Sequence, residues 1–415
     1  MVEKIVGFSQ ETLVSQNEQT IKAKRFLQYI ASLAASIGAI AAGMSVSWTS
    51  QAGTDGVNIA TIYQITITPE EYSWIGSLAA LGSAVVCVPI GTLADIIGRK
   101  YSMLMLVIPF TIGWLCIIFA KSVAFFYVGR FLTGFSGGAF CVTGPMYTSE
   151  IGESEIRGRL GNEDTARKIY IKLRGSQYDV EQEISMQKKM IEEANKNKVS
   201  FLTLLKSKAC KKAILISYGL MGFQQLSGVN AVSFYVGFIF DKAGGFVGPK
   251  EAAIVIGVIG ITMVFISTLT VDRLGRKILL IISSTFMTLS NLALGTYFYL
   301  LETTSTSSLG WLPLLSVCSF IVSFAIGFGP LPWMMISEVF TPETKGIAGS
   351  SACLLNWILA FIVTKTFVNL NDIIHIYGTF WLFSLICALG IVFVLFFVPE
   401  TKGKTLEQIQ RELSA

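Results

Sequence analysis

The chain of 415 residues is 52% hydrophobic and only 14% charged, with a mean hydropathy of +0.62 and a single His. A solvated globular surface needs about 25% charged residues, so an ordinary water-soluble domain is excluded and lipid is the expected solvent. The net charge of +5 is too small to argue for a nucleic-acid partner, and one His between two apolar segments, His375, argues against His-based catalysis.

A spanning helix needs about 20 mostly apolar residues. Ten segments qualify: 26–48, 72–94, 101–120, 124–149, 213–240, 252–271, 278–301, 311–337, 347–370 and 378–398. The first follows about 25 polar residues that include Glu3, Glu11 and Glu18, whereas a cleavable signal would set a shorter apolar run nearer the start. It is predicted as a retained span. Of the 32 Lys and Arg, 27 fall in the N-terminal tail, the turns at 99–100, 272–277 and 345, the stretch 151–212 and the C-terminal tail. The opposite loops hold three, Lys121, Lys242 and Lys250. The excess of positive charge predicts that both termini and 151–212 are cytoplasmic.

The expected organisation is therefore a tail over 1–25, a first bundle of four helices over 26–150, a cytoplasmic loop over 151–212, a second bundle of six helices over 213–398 and a tail over 399–415. Within the loop, Thr165 to about Glu193 mixes Ile, Leu and Met with charges at helical spacing, broken at Gly175. It fits short amphipathic helices on the cytoplasmic face, or a solvated linker between the bundles.

The chain repeats itself. The second span ends in Asp95-Ile-Ile-Gly98-Arg99-Lys100 and the sixth in Asp272-Arg-Leu-Gly275-Arg276-Lys277, both D-x-x-G-R-K. Each is followed by two spans, and those pairs end in Glu150 and Glu338, with Arg157-Gly158 and Lys345-Gly346 seven residues on. Such repeats mark a transporter built from two related bundles. The halves are unequal: two more spans follow Lys345-Gly346, while the chain after Arg157-Gly158 runs from Leu160-Gly161 into charged Asn162-Glu163-Asp164. Either this is a genuine ten-span protein or two helices have been deleted. Repeats of three plus three need all six, which favours the deletion.

These motifs resemble the sugar-porter branch of the major facilitator superfamily, and most of all the insect facilitated trehalose transporters. The resemblance rests on the two D-x-x-G-R-K runs, Gly129-Arg130, Pro145-Met-Tyr-x-x-Glu150, Gln224-Gln225-Leu-Ser-Gly228-Val-Asn230, Gly329-Pro-Leu-Pro-Trp333 and Pro399-Glu-Thr-Lys-Gly403. It implies an all-α polytopic fold, here with a truncated first bundle, and places the missing fifth and sixth spans at Gly161–Asn162. It implies facilitated transport of trehalose or a hexose such as glucose across the plasma membrane by alternating access. The alternative is a truncated isoform that does not transport and acts as a sensor, a regulator or an inert product.

A passive sugar carrier wants uncharged amides to exchange hydrogen bonds and an aromatic ring to stack. Gln224, Gln225 and Asn230 supply amides in the fifth span, although on an ideal helix Gln224 and Asn230 lie about 120° apart. Local unwinding at Gly228 would bring them together, and the eighth span is interrupted correspondingly by Gly329, Pro330 and Pro332. Asn356 matches a sugar-contacting Asn of the family, and Trp333 is the candidate stacking residue. For the glutamines, hydrogen bonding between helices is the other reading; for Trp333, packing or gating. Two departures bear on the substrate. Glucose facilitators carry a Glu where this chain reads Ala325-Ile326-Gly327-Phe328, and an Asn where Gly260 stands.

At the cytoplasmic ends, Asp95 with Arg99, Glu150 with Arg157, Asp272 with Arg276 and Glu338 with Lys345 are candidate gate charges, expected to bridge the bundles. Proton-coupled relatives carry an Asp in the first span; here 39–48 holds no acid, and no G-x-x-x-x-G-K-[ST] loop occurs. Facilitated diffusion without a cofactor is expected, and no enzyme activity, since neither a nucleophile–His pair nor a metal cluster is visible. The seven cysteines are scattered with no CxxC pair and read as small packing residues.

Overall fold

The computed structural model describes residues 25–51, 57–149, 207–244, 248–304 and 309–414, and their regular structure is α-helical. In chain order the helices are α1 (Arg25–Gln51), α2 (Val57–Tyr63), α3 (Pro69–Ile97), α4 (Arg99–Ile118), α5 (Val123–Ser149), α6 (Lys208–Leu226), α7 (Val229–Ala243), α8 (Pro249–Leu274), α9 (Arg276–Thr303), α10 (Leu312–Ile326), α11 (Leu331–Val339), α12 (Pro342–Phe397) and α13 (Leu406–Ser414). By internal contacts the chain divides into two compact units, residues 1–38 with 144–198 and residues 39–143 with 199–415. The second holds nearly all the described residues. The helices expected between Thr165 and Glu193 lie outside the described residues.

Seven helical stretches among the described residues are long and apolar enough to cross a membrane. They are also exposed where lipid would lie. Along α8, Ile254, Val258, Ile261, Phe265 and Leu269 form an exposed stripe at helical spacing. Two predicted spans are each built from two helices: 213–240 is α6 and α7, broken at Gly228, and 311–337 is α10 and α11, broken over 327–330.

The reverse occurs in α12, whose helical run covers both final predicted spans. His375 interrupts it with φ 61° and ψ 163°. In a straight helix Phe367 and Phe383 would stand about 24 Å apart, yet their ring centroids are 6.5 Å apart. The chain doubles back at His375, so this run is two helical arms packed on each other.

The repeat is visible in the backbone. Gly98 (φ 86°, ψ 149°) links α3 to α4 and Gly275 (φ 90°, ψ 156°) links α8 to α9. Both sit in a region open essentially to glycine alone, so each D-x-x-G-R-K run closes one helix and opens the next through a single residue.

Close packing in the first half depends on small residues. Gly134 and Gly138 on α5 lie so near Ala79 and Ser83 on α3 that a Cβ on either would meet backbone at 2.0 and 2.6 Å. Ser83 Oγ also donates to Gly134 O at 2.8 Å. This is the small-xxx-small mode of association that lipid favours, because apolar side chains gain nothing there by leaving the solvent. Arg130 of α5 is fully buried and donates through Nε to Ile75 O at 3.0 Å, through Nη1 to Ser45 O and through Nη2 to Thr49 Oγ1 at 2.8 Å. Its guanidinium lies 5.5 Å from the Trp48 ring. One side chain thereby fastens α1, α3 and α5.

The first-half helix α3 runs antiparallel to the first arm of α12. Lys365 Nζ donates to Ser73 Oγ at 2.7 Å, the rings of Trp74 and Phe361 are 6.0 Å apart, and Cys87 Sγ meets Cys353 Sγ at 3.2 Å. A Cβ added at Gly91 would be 4.0 Å from Ser350 Oγ. From Ser73 to Gly91 this seam covers about 27 Å, nearly the hydrocarbon thickness of about 30 Å.

The two matched glycines differ in surroundings. A Cβ at Gly98 meets nothing within 4 Å, whereas one at Gly275 would lie 2.7 Å from Glu400 Oε2. Gly98→Ala should therefore cost about 1–3 kcal/mol from backbone strain alone, and Gly275→Ala clearly more. Thermal unfolding in detergent checks the order; an equal or larger loss for Gly98→Ala would contradict it.

Candidate functional site

The break between α6 and α7 is made by Gly228, whose φ of 88° is left-handed and whose missing side chain leaves room for the Phe383 ring, 2.4 Å from where a Cβ would stand. α6 stops at Leu226 and α7 restarts at Val229, so Gln225 and Asn230 come within reach of each other. Asn230 Nδ2 donates to Gln225 Oε1 at 2.5 Å. The unwinding expected at Gly228 is present.

Four amides form a relay. Gln225 Nε2 donates to Asn356 Oδ1 at 2.8 Å, and Asn356 Nδ2 donates to Gln224 Oε1 at 2.7 Å. Gln224 Nε2 donates in turn to Phe328 O at 2.6 Å and Gly329 O at 2.9 Å. These carbonyls belong to the break between α10 and α11, where Pro330 and Pro332 cannot donate. The relay thus runs from one interrupted helix to the other through α12. Gln224, Gln225 and Asn356 are buried and Asn230 is half-buried. Among the described residues Asn230 uses one N–H within the relay and is its half-buried end.

Further contacts, missed in the sequence, hold the breaks in shape. Asn291 of α9 is buried and donates to Ser227 O at 3.3 Å, next to Gly228. Ser283 Oγ accepts from Phe328 N–H at 3.1 Å. A polar residue inside a long apolar span was the available signal for Asn291. Trp333 is placed differently from the other candidates. It stands 39% exposed on α11 and takes no part in the described hydrogen bonds of the relay.

At the ends of α9 and α11 a second cluster forms. Arg276 Nη2 pairs with Glu338 Oε1 at 3.0 Å and its Nε donates to the same oxygen at 3.1 Å. Both residues belong to the second half, so this pair braces that half internally. Thr401 Oγ1 donates to Glu338 Oε2 at 2.5 Å. Arg99 Nη1 donates to Ala94 O at 2.8 Å, closing the end of α3. The side chains of Asp95, Asp272 and Lys345, and all of Glu150 and Arg157, lie outside the described residues.

Glu400, within the Pro399-Glu-Thr-Lys-Gly403 run, is the organising carboxylate of this cluster. It accepts from the backbone N–H groups of Arg276 (2.9 Å), Lys277 (3.1 Å), Thr401 (3.0 Å) and Lys402 (2.9 Å). The first two are free donors at the start of α9, where a negative charge also meets the positive end of the helix dipole. Partial burial pushes the carboxyl upward, but the donors of Lys402, Arg276, Lys277 and Thr401 outweigh it and hold Glu400 below its ordinary range. The helix α13, absent from the sequence expectations, seals the same end by burying Ile409 and Leu413, while Gln410 Nε2 donates to Val339 O at 2.6 Å.

The comparisons with known proteins agree with this architecture. The model of the "Sugar (and other) transporter" family matches residues 7–162 and 160–413, two pieces that meet where the sequence places the join. The facilitated trehalose transporter of Bombyx mori is 36% identical over 444 positions, covering 94% of this chain and 87% of that protein. That of Culex quinquefasciatus is 35% identical, covering 95% and 87%. In the Bombyx alignment, 94% of 415 residues is about 390, against 444 positions, so some fifty positions of the relative have no counterpart here. That is enough for two spans of about 20 residues with their loops. The inward-open xylose transporter XylE from E. coli superposes with a TM-score of 0.71 at 20% identity, covering 93% of this chain and 99% of that one. XylE bound to 6-bromo-6-deoxy-D-glucose gives 0.68 at 20% identity, covering 93% of this chain and all of the other. At that identity the likeness is one of fold.

The sign of the Glu400 shift fixes a pH dependence. A carboxyl lowered by folding stabilises fully above its unfolded value of about 4.3 and loses that contribution as pH falls through the folded value. Glu400→Gln should lower stability by about 1–2 kcal/mol, equally at pH 7 and 5.5, with the difference shrinking below about pH 4. Thermal midpoints of both forms across that range measure it; a difference that grows on acidification would contradict the assignment.

Proposed function

The chain belongs to the sugar (and other) transporter family, a family of multi-pass membrane transporters and not of enzymes, and from that premise we propose that it carries trehalose, or a hexose such as glucose, down its gradient across the plasma membrane. The termini lie on the cytoplasmic side in this reading. The observation that carries it is the amide relay at two interrupted helices. Gln224, Gln225, Asn230 and Asn356 are uncharged, mutually bonded and connected to a half-buried end at Asn230. A sugar hydroxyl can replace one link of such a relay without leaving an amide unbonded, and the exchange costs little because bonds are traded for bonds. Carboxylates would hold a sugar more tightly and release it more slowly.

The surroundings of Arg130 support passive transport. Its described partners are two backbone carbonyls, one hydroxyl and the Trp48 ring. The helix that faces it, α1, carries neither Asp nor Glu. A fixed cation held by neutral acceptors offers no site where a proton binds and leaves with the substrate. Alternating access then requires the α3–α12 seam to part at one end at a time. Trp333, exposed near the head of α11 and three residues past the break, is the candidate for stacking on the sugar.

A second reading rests on its own observation, the fifty or so positions of the relative without a counterpart in this chain, together with a family match that comes in two pieces meeting at 160–162. A first bundle without two of its helices leaves one flank of a central cavity open to lipid, and the chain then serves as a sensor or partner of a longer carrier.

Uptake per surface-expressed molecule separates these readings. The 415-residue chain should take up trehalose saturably, never above the external concentration and indifferent to a protonophore. Gln225→Ala should lower uptake roughly five- to a hundredfold, corresponding to about 1–3 kcal/mol for an unmet buried amide. Accumulation that collapses with protonophore would refute passive transport. No uptake by this chain beside clear uptake by a version carrying the missing positions would establish the second reading.

A further inference from the structure

Cys87 and Cys353, read from the sequence as packing residues, meet Sγ to Sγ at 3.2 Å. Both are buried, at 0% and 4% exposure. One stands on α3 of the first half and the other on the first arm of α12 in the second half, 266 positions apart. They lie between the Ser73–Lys365 hydrogen bond on one side and the approach of Gly91 to Ser350 on the other. A disulfide has its sulfurs about 2.05 Å apart, so a closure of about 1 Å joins them, within the adjustment available to two side chains. Ser83 O, which accepts from Cys87 Sγ at 3.1 Å, holds the thiol in this direction.

We infer that Cys87 and Cys353 form a reversible cross-link that fixes the α3–α12 seam and with it the two halves of the carrier. This rests on the transport reading only for its consequence, since the link itself is a matter of geometry. The oxidant is a small neutral peroxide. One sulfur, as thiolate, attacks a peroxide oxygen and breaks the O–O bond; the released hydroxide takes the thiol proton and leaves as water. The resulting sulfenic acid is attacked by the second sulfur, the S–S bond forms, the S–O bond breaks, and a second water leaves. Two thiols and one peroxide give one disulfide and two waters. A thiol donor reverses the step by exchange.

The consequence is mechanical. Rocking needs α3 and α12 to separate at one end while they stay together at the other. A covalent bond part-way along a seam of about 27 Å holds both arms near the closed geometry. Cys141 stands on α5, the helix packed against α3 at Gly134 and Gly138, and is the other thiol to be distinguished. A Cys141 link to Cys353 would be a different product, so the peptides must be identified.

The test uses the full chain in lipid nanodiscs and in cells, treated with hydrogen peroxide and then with dithiothreitol. Digestion without reductant should yield a linked peptide containing Cys87 and Cys353, lost on reduction. Hydrogen exchange along α3 should slow in the linked form. Uptake should fall at least tenfold and recover with dithiothreitol, while Cys353→Ser keeps its uptake under peroxide. Oxidation of Cys116 or Cys318 without any Cys87–Cys353 peptide would overturn the inference, as would a linked peptide with unchanged α3 exchange. Equal inhibition of Cys353→Ser would overturn the lock. If the chain moves no sugar, the transport reading fails by itself, and the peptide and exchange measurements still decide the cross-link.

Discussion

In hydrocarbon, a backbone carbonyl or N–H that leaves its helix must find another partner, since no water is there to take it. This chain breaks two helices at corresponding places, at Gly228 and over 327–330, and the constraint determines much of what surrounds them. Gln224 supplies both N–H groups of its amide to the carbonyls of Phe328 and Gly329, and Asn291 supplies one to Ser227. Once Gln224 is committed there, its Oε1 needs a donor, which is Asn356; Asn356 then needs Gln225, and Gln225 is completed by Asn230. The polar relay follows from the breaks, and the breaks give it a place to act.

The first half solves a different problem. Lipid gives no reward for apolar contact between helices, so the helices come together through glycines and through Arg130, whose donors reach α1 and α3. A buried guanidinium without a carboxylate is costly, and it persists because each described N–H contact meets an oxygen and the Trp48 face covers the plane.

The spans were legible because hydrocarbon thickness sets their length, and the repeat because Gly98 and Gly275 impose one backbone shape on both D-x-x-G-R-K runs. The amides were legible because polar residues in apolar spans stand out. Gln224, Gln225, Asn230 and Asn356 are brought together, whereas Trp333 points to a part-exposed position that no spacing rule distinguishes from packing. Contacts between distant helices were not legible, since they depend on rotation about helix axes. Cys87 with Cys353, and Glu400 with the start of α9, are therefore products of the fold and not of local pattern. The pairing of Arg276 with Glu338 inside one half belongs to the same class: charge type was readable, and the partner was not. The helix α13 was hidden because its two buried residues, Ile409 and Leu413, are too few to form an apolar run.

The central claim is that the relay of the second half is a sugar site, whole even in a chain shorter than its relatives. Equilibrium binding of trehalose and glucose to the purified 415-residue protein tests it most directly, because binding does not require the rocking that the missing positions affect. The account predicts saturable binding of at least one of the two sugars that is lost or weakened at least fivefold in Asn356→Ala, with the fold of that variant intact by circular dichroism. Binding that Asn356→Ala leaves unchanged, or no saturable binding of either sugar by the folded chain, would contradict it.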